Sequence, residues 1–374
     1  MPQTRVEPEF ETLLQGLERA LGGGPPVLLA QVDPARLAEH PEVALVLATS
    51  GSSTGQGRPV GLSAAALRAS ARGTEERLAG PGQWLLTLPP QHVAGIQVLA
   101  RSVLAGTTPV RTAPGAFRPE ALAETIAEMR TDVPRYVSLV PTQLVRVVRS
   151  ETALAALRSC AAVLVGGAAT ATAVLTRARE SGVRVVTTYG MTETCGGCVY
   201  DGVPLPGAQV RLGGSGRVLL AGPILAEGYL DGGPQPFTEI DDTRWLRTGD
   251  AGILSDGVLT LAGRIDDVIV TGGVNVHPAA VEQELADLAA VAEVCVVGVP
   301  DPEWGELLTA VVVPAAGREV SLELLRARTG GGPSAPRAAV TVAELPLRGP
   351  GKTDRRAVAE LAASQLARGR GQRH

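Results

Sequence analysis

At 374 residues, 45% hydrophobic and with a formal net charge of −4, the chain is sized for about two globular domains and lacks the basic excess of a nucleic-acid binder. It contains no uninterrupted apolar run of the roughly 18 residues a membrane span needs and no leader pattern at its start, so a cytoplasmic location is the default expectation. Four cysteines argue against a disulfide scaffold. Cys195 and Cys198 have the C-x-x-C spacing but no second ligand pair, which disfavours both zinc and redox roles.

Residues 1–40 are rich in Pro and Gly and carry one amphipathic stretch, Phe10 to Leu21. From 43 onward apolar strands alternate with loops and helices. Strands are expected at Val43 to Ala48, Trp84 to Leu88, Tyr136 to Val140, Ala161 to Val165 and Val183 to Thr188. A helix follows Pro141-Thr142, and another covers Ala173 to Ser181. That alternation implies a parallel or mixed sheet covered on both faces, with ligands bound beyond the carboxyl ends of its strands. From about 208 the pattern changes to short β segments: Ala208 to Leu212, Gly216 to Ala221, Val258 to Ala262 and Val268 to Thr271. After 265 come a helix (Pro278 to Leu288), two strands (Val294 to Val299, Leu308 to Val313), a helix (Leu322 to Arg328) and a strand (Ala338 to Val342). A final helix-like run covers Asp354 to Leu366, and Arg368, Arg370 and Arg373 read as a frayed tail. The expected fold class is α/β: a large N-terminal domain of mixed sheets covered by helices, residues 1–265, and a small α+β C-terminal domain, residues 266–374.

Four loops carry residues suited to chemistry. The first is Thr49-Ser50-Gly51-Ser52-Ser53-Thr54-Gly55, continuing to Gly61, whose small residues free backbone N–H groups to cradle phosphates. A Walker A loop is excluded because its lysine is absent, while a plain flexible linker stays open. The second runs Thr187-Thr188-Tyr189-Gly190-Met191-Thr192-Glu193-Thr194 and places a ring, a hydroxyl and a carboxylate within five residues. A nucleotide site uses those groups to stack a base, bind phosphate and hold Mg²⁺, although each is singly an ordinary loop residue. The third is Thr248-Gly249-Asp250, read as an exposed Asp in a tight turn that takes ribose hydroxyls or makes an Asx-turn. The fourth is Gly263 to Pro278, at the domain boundary.

The chain has a single lysine, Lys352, among 34 basic side chains. It follows Arg348-Gly349-Pro350-Gly351, and a Gly/Pro-rich loop presenting a compact ammonium suits a group that reaches an anionic substrate and withdraws. A leftover surface lysine is the competing explanation.

Taken in order, these motifs resemble those of the adenylate-forming superfamily of acyl- and aryl-CoA synthetases, amino-acid adenylation domains and luciferases, over residues 45–360. Tyr189-Gly190-Met191-Thr192-Glu193, Thr248-Gly249-Asp250, Gly263-Arg264-Ile265-Asp266-Asp267 and Gly351-Lys352 carry the resemblance. It implies that Gly166, Gly167, Ala168 and Tyr189, with Gly190, hold adenine, and that Thr192 contacts the α-phosphate. Glu193 would bind Mg²⁺, Asp250 ribose with Arg264 nearby, and Asp266 would be a hinge. Lys352 would be the catalytic lysine, and Gly272 and Gly273 would line the path of the CoA pantetheine. ATP, Mg²⁺ and CoA are the implied cofactors and co-substrates. Two departures stand out: the phosphate loop carries an inserted residue, with Gly57 and Arg58 where the family has Pro and Lys, and the resemblance begins late, implying a reduced N-terminal domain.

Within the superfamily the chain is similar to the short o-succinylbenzoate–CoA ligases of menaquinone biosynthesis. The carrying residues are Leu88-Pro89-Pro90-Gln91-His92-Val93-Ala94-Gly95 with Arg101, Arg135 to Val140, and Tyr189 to Gly202. That likeness implies a substrate pocket drawn from His92, Gly95, Arg101, Ser138, Thr142, Gly196 and Gly197. Arg101 would meet the substrate's second carboxylate, with a surface helix position as the alternative. Other aryl- or acyl-CoA ligases and a non-catalytic nucleotide-binding relative remain open. The expected partners are small molecules, with neither nucleic acid nor membrane insertion and with a homodimer allowed.

Overall fold

The computed structural model describes residues 10–49, 57–113, 115–332, 334–348 and 352–374; of Arg348 and Lys352 it describes the backbone only. Residues 50–56 of the first loop, Gly349 to Gly351 and the Lys352 side chain therefore lie outside what is described.

The centre of the large domain is a seven-stranded sheet. Val185–Met191, Ala162–Gly166, Arg135–Leu139, Gln83–Leu86 and Val110–Arg111 run parallel as neighbours, and Gly196–Tyr200 and Val203–Pro204 add antiparallel strands at one edge. Alternate side chains enter two cores, as the two-residue period of a strand requires. Trp84, Tyr136, Leu164 and Val186 face one core with the helices Phe10–Leu21 and Val93–Leu104. Leu85, Val137, Val163 and Val185 face the other with the helices Pro119–Glu128 and Glu151–Leu157. The Phe10–Leu21 helix forms because Leu13, Leu17, Ala20 and Leu21 recur at helical spacing and are all buried.

Two smaller sheets flank this centre. Val43–Ala48 does not join the parallel sheet, contrary to the simple alternation expected from sequence; it pairs with Val27–Leu28 and antiparallel with Pro59–Ser63 in a four-stranded sheet. The phosphate-type loop thus leaves one strand and returns on its neighbour. Its neck is closed by the Thr49 amide on the Arg58 carbonyl, 2.9 Å, and the Arg58 amide on Thr49 Oγ1, 2.9 Å. The third sheet is antiparallel and is built on Thr243–Ser255, a strand the residue pattern did not reveal.

The smaller domain has its own cores around Ile269, Leu285, Val296 and Leu308, and around Val297, Val311, Val340 and Val358. The strands Val291–Asp301 and Gly305–Pro314 form a long antiparallel pair, with the helices Pro278–Ala286, Leu322–Arg328 and Arg355–Ala367 beside it. The end of the chain is not a frayed tail. Gln372–Arg373 pairs antiparallel with Ala338 and Ala339, and Arg373 lies 3.8 Å from Asp301. Backbone groups on an otherwise open sheet edge supply the partners that hold it. Among the described residues, no helix is long and apolar enough to cross a membrane.

Candidate active site

Thr187 to Met191 of the second loop continue the strand Val185–Met191, whose parallel pairing ends at Thr188, and only Thr192–Thr194 turns away. Gly190 sits where a Cβ would overlap the Gly196 carbonyl oxygen, so only glycine lets the returning strand approach. Thr192–Thr194 forms a single 3₁₀ turn, tied by the Met191 amide on Thr194 Oγ1 at 2.9 Å. The turn buries Thr192 and Glu193, 8% and 9% exposed. The amide of Ala226 bonds the Glu193 carbonyl at 2.8 Å and fixes its height.

Glu193 makes no ion pair among the described residues. Its Oε1 accepts the Tyr229 hydroxyl at 2.7 Å. Burial and the facing carboxylate together raise the pKa of that phenol well above the ordinary tyrosine value. A nearly buried carboxylate with one oxygen engaged by a neutral donor leaves the other for a cation. No group of three or more His, Cys, Asp or Glu among the described residues could hold a metal unaided. That donor set fits Mg²⁺ delivered with a nucleotide, because this ion commonly takes one or two carboxylates plus phosphate oxygens.

Tyr189 and Asp250, from strands 61 positions apart, meet directly: the Tyr189 hydroxyl donates to Asp250 Oδ2 at 2.7 Å. Burial, then Asp250, pushes the phenol pKa up. Asp250 is neither in a tight turn nor strongly exposed, as the sequence had suggested; it lies inside the strand Thr243–Ser255, paired with Arg264 of Val258–Arg264. Its side chain is 17% exposed, with the Arg264 guanidinium 3.7 Å away. The Thr248 hydroxyl receives the Asp250 amide at 3.1 Å, which supplies locally the turn-like signal that the sequence showed. Gly166 ends the adjacent strand opposite Thr188, followed by Gly167 at φ +87° and Ala168, both exposed. Of the residues expected around adenine and ribose, Tyr189 and Asp250 touch directly.

The residues expected to shape the acid pocket gather around the helix Val93–Leu104. His92 caps its start, and Gly95 presses on Pro89, where a Cβ would overlap the carbonyl. Val93, Gln97 and Arg101, four apart on one face, look toward Gly196, Gly197 and Tyr200. A Cβ on Gly196 would lie 3.4 Å from Gln97 Cγ, and one on Gly197 3.1 Å from Tyr200 Cε1. Arg101 is 4% exposed, which overturns the surface-helix alternative. Its Nη2 reaches the Tyr200 hydroxyl at 3.3 Å, its guanidinium carbon lies 4.9 Å from the Trp84 ring centroid, and its Nε is buried without a partner. Arg101 makes no ion pair among the described residues; Glu75, whose pKa burial raises, feels its charge in the opposite sense. Ser138 is buried on its strand with its carbonyl bonded by the Thr87 hydroxyl, while Thr142 is exposed at the start of the helix Pro141–Val147.

Arg264 also reaches Asp266, 3.3 Å away. Gly272 and Gly273 turn the hairpin between Ile269–Thr271 and Val274–Val276, both at positive φ. Lys352 opens the short strand Lys352–Thr353, which pairs back on Leu347–Arg348. Three residues on, Arg355 is bidentate to Glu282 at 2.6 Å for each bond and 3.3 Å from Asp267.

Tyr229 and Gln97 were not singled out from sequence. The chain has only four tyrosines, and two of them donate to the carboxylates of Asp250 and Glu193.

A two-domain fold with this loop cluster at the strand ends is that of the adenylate-forming enzymes, and the chain belongs to the AMP-binding enzyme family. The family's profile matches residues 7–230, and that of the AMP-binding enzyme C-terminal domain matches 280–352. A probable 2-succinylbenzoate–CoA ligase of Mycobacterium tuberculosis is 43% identical over 364 residues, covering 92% of this chain and 94% of the relative. Among solved structures, an o-succinylbenzoate–CoA synthetase of Bacillus subtilis in complex with its acyl-adenylate intermediate superposes with a TM-score of 0.73. It is 27% identical, over 84% of this chain and 69% of that one. ATP-bound MatB from Rhodopseudomonas palustris gives 0.75 at 25% identity, over 86% and 68%.

Proposed function

We propose that this chain is an o-succinylbenzoate–CoA ligase of menaquinone biosynthesis, working in the cytoplasm, with residues 1–265 as its nucleotide domain and 266–374 as its small domain. In the first step the succinyl carboxylate attacks the α-phosphorus of ATP; the bond to the β,γ-diphosphate breaks and pyrophosphate leaves. In the second, the thiolate of CoA attacks the acyl carbonyl, and AMP departs with the electron pair of the broken mixed-anhydride bond.

Gly166, Gly167, Ala168, Tyr189 and Gly190 would frame the adenine, and Asp250, held by Tyr189 and flanked by Arg264, the ribose. Thr49 opens the phosphate loop, and Thr192 would bond the α-phosphate. Magnesium, when bound with ATP, would offset the charge on the phosphates, and Glu193 would be the side chain that holds it. Lys352 would supply the cation between carboxylate and phosphate oxygens during adenylation, where electrostatic stabilisation is the main catalytic term. Gly272 and Gly273 would line the pantetheine path.

The finer substrate reading rests on Arg101. A buried guanidinium with an unpartnered Nε and no ion-pair partner among the described residues is costly unless a ligand supplies the anion. The ring carboxylate of o-succinylbenzoate is such an anion, with Gly196 against Gln97 on the same helix and Gly197 against Tyr200, the partner of Arg101. His92, Gly95, Ser138 and Thr142 would complete the walls.

Pyrophosphate release over a panel of carboxylic acids, with and without CoA, tests this. The diacid should be preferred, and Arg101→Ala should raise its KM by at least about tenfold, the loss of one charge-assisted bond of roughly 1.5–3 kcal/mol, with the KM for ATP nearly unchanged. Arg101→Lys controls for lost packing on Trp84. Equal turnover of the mono-acid lacking the ring carboxylate would sink the assignment in favour of a general aryl- or acyl-CoA ligase.

A further inference from the structure

Arg58 occupies the place where the family's phosphate loop carries lysine, yet its guanidinium is already committed. Nε and Nη2 bond the two carboxylate oxygens of Asp231 at 2.6 Å each, and Nη1 bonds the Pro234 carbonyl at 2.9 Å. Its flat face covers the Tyr229 ring, 3.7 Å from the centroid. The far side of that ring carries the hydroxyl bonded to Glu193.

We propose that Arg58 is a positioning residue, not a pyrophosphate ligand: locked on Asp231, it clamps the Tyr229 ring so that the hydroxyl fixes which way Glu193 points. The proposal rests on the reading of Glu193 as the magnesium-bearing carboxylate given above.

The receiving turn is built for the purpose. Gln235 bonds the Tyr229 backbone in both directions, Oε1 accepting the amide at 2.8 Å and Nε2 donating to the carbonyl at 2.9 Å. Asp231 Oδ1 also accepts the Gly233 amide at 3.0 Å. A Cβ at Gly233 would stand 2.6 Å from Arg58 Nη2, so the guanidinium fills space that only glycine leaves open. Gly228–Tyr229 pairs antiparallel with Pro59–Ser63, Tyr229 opposite Val60, so the strand leaving the phosphate loop and the strand carrying the tyrosine move as one piece. Arg58 lowers the Asp231 pKa to about 2, chiefly through their hydrogen bonds, so the pair stays charged at any working pH. A lysine could neither fork onto both oxygens nor stack on the ring.

Calorimetric titration of the full-length protein with ATP, in excess Mg²⁺ and in EDTA, tests the proposal without relying on turnover. Wild type should bind ATP more tightly with Mg²⁺. Arg58→Ala, Asp231→Asn and Tyr229→Phe should each reduce that magnesium-dependent gain, by about tenfold as for groups that orient a metal ligand, and leave binding in EDTA close to wild type. Arg58→Lys should not restore it. If Arg58 instead contacts the phosphates, Arg58→Ala weakens binding in EDTA as well and Asp231→Asn does no harm, which overturns the proposal. Should Arg58→Ala fail to fold, the Asp231 and Tyr229 variants decide the matter. A wild type with no magnesium effect removes the role of Glu193 itself; a normal wild type with unaffected variants removes only the clamp.

Discussion

Lys352 is the one place where composition alone points to an atom. If it carries the cation of adenylation, Lys352→Ala should slow pyrophosphate release by at least about 100-fold, the scale of one lost transition-state electrostatic contact. Thioester formation from a pre-made acyl-adenylate should survive; equal loss of both steps would make the lysine merely structural. The cysteines show the opposite behaviour. Cys195 and Cys198 share the C-x-x-C spacing but point into different cores, Cys195 from a left-handed bend at φ 51°. Burial pushes the thiols up, Cys160 to about 11 and Cys198 and Cys295 to about 12, with Cys195 higher still. All four should therefore resist thiol reagents in the native protein at pH 8 and react together on denaturation. A fast-reacting thiol in the folded state would contradict this burial.

At the level of elements, the Tyr-Gly-x-Thr-Glu loop owes its shape to packing between strands. Gly190 is needed because the antiparallel strand Gly196–Tyr200 returns within contact of its Cα. Gly190→Ala should destabilise the protein by about 1–3 kcal/mol, as overpacking usually does, and should reduce nucleotide binding because Tyr189 and Thr192 flank the displaced residue. Thermal unfolding and ATP titration check both; unchanged binding in a destabilised variant would separate the loop from the site. The same logic shows why Asp250 was misplaced. Thr-Gly-Asp reads as a turn locally, yet Gly249 is small to admit the Arg264 guanidinium, 2.5 Å from where its Cβ would be, within a continuous strand.

Across the whole molecule, the cores formed before and after residue 265 are separate, and a short charged segment links them. Arg264 spans Asp250 and Asp266, and Asp267 receives Arg355, three residues beyond the lysine. Ion pairs on both sides of Asp266 and a 71% exposed side chain at Asp266 itself suit a point of rotation that disturbs no core. Asp266→Pro, which fixes φ near −65°, should impair one half-reaction more than the other, whereas Asp266→Ala, which loses only the contact to Arg264, should stay near wild type. Wild-type rates in both half-reactions for the proline variant would move the boundary elsewhere.

What the sequence determined by itself was whatever depends on near neighbours along the chain. The helices Phe10–Leu21 and Leu322–Arg328 match their expected limits, since helical burial repeats every three or four residues. Four of the five parallel strands of the central sheet were legible as short apolar runs ending near Gly or Pro, Val110–Arg111 being too short to stand out, and the motif order was enough to imply the enzyme family. Only the tertiary structure decided which distant residues touch. It joined Tyr189 to Asp250 and Tyr229 to Glu193, buried Arg101 against Trp84 and Tyr200, turned Arg58 onto Asp231, and closed the chain's end onto a sheet edge. Hydrogen bonds and ion pairs of this kind form between groups up to 176 positions apart, and no local periodicity encodes such a pairing.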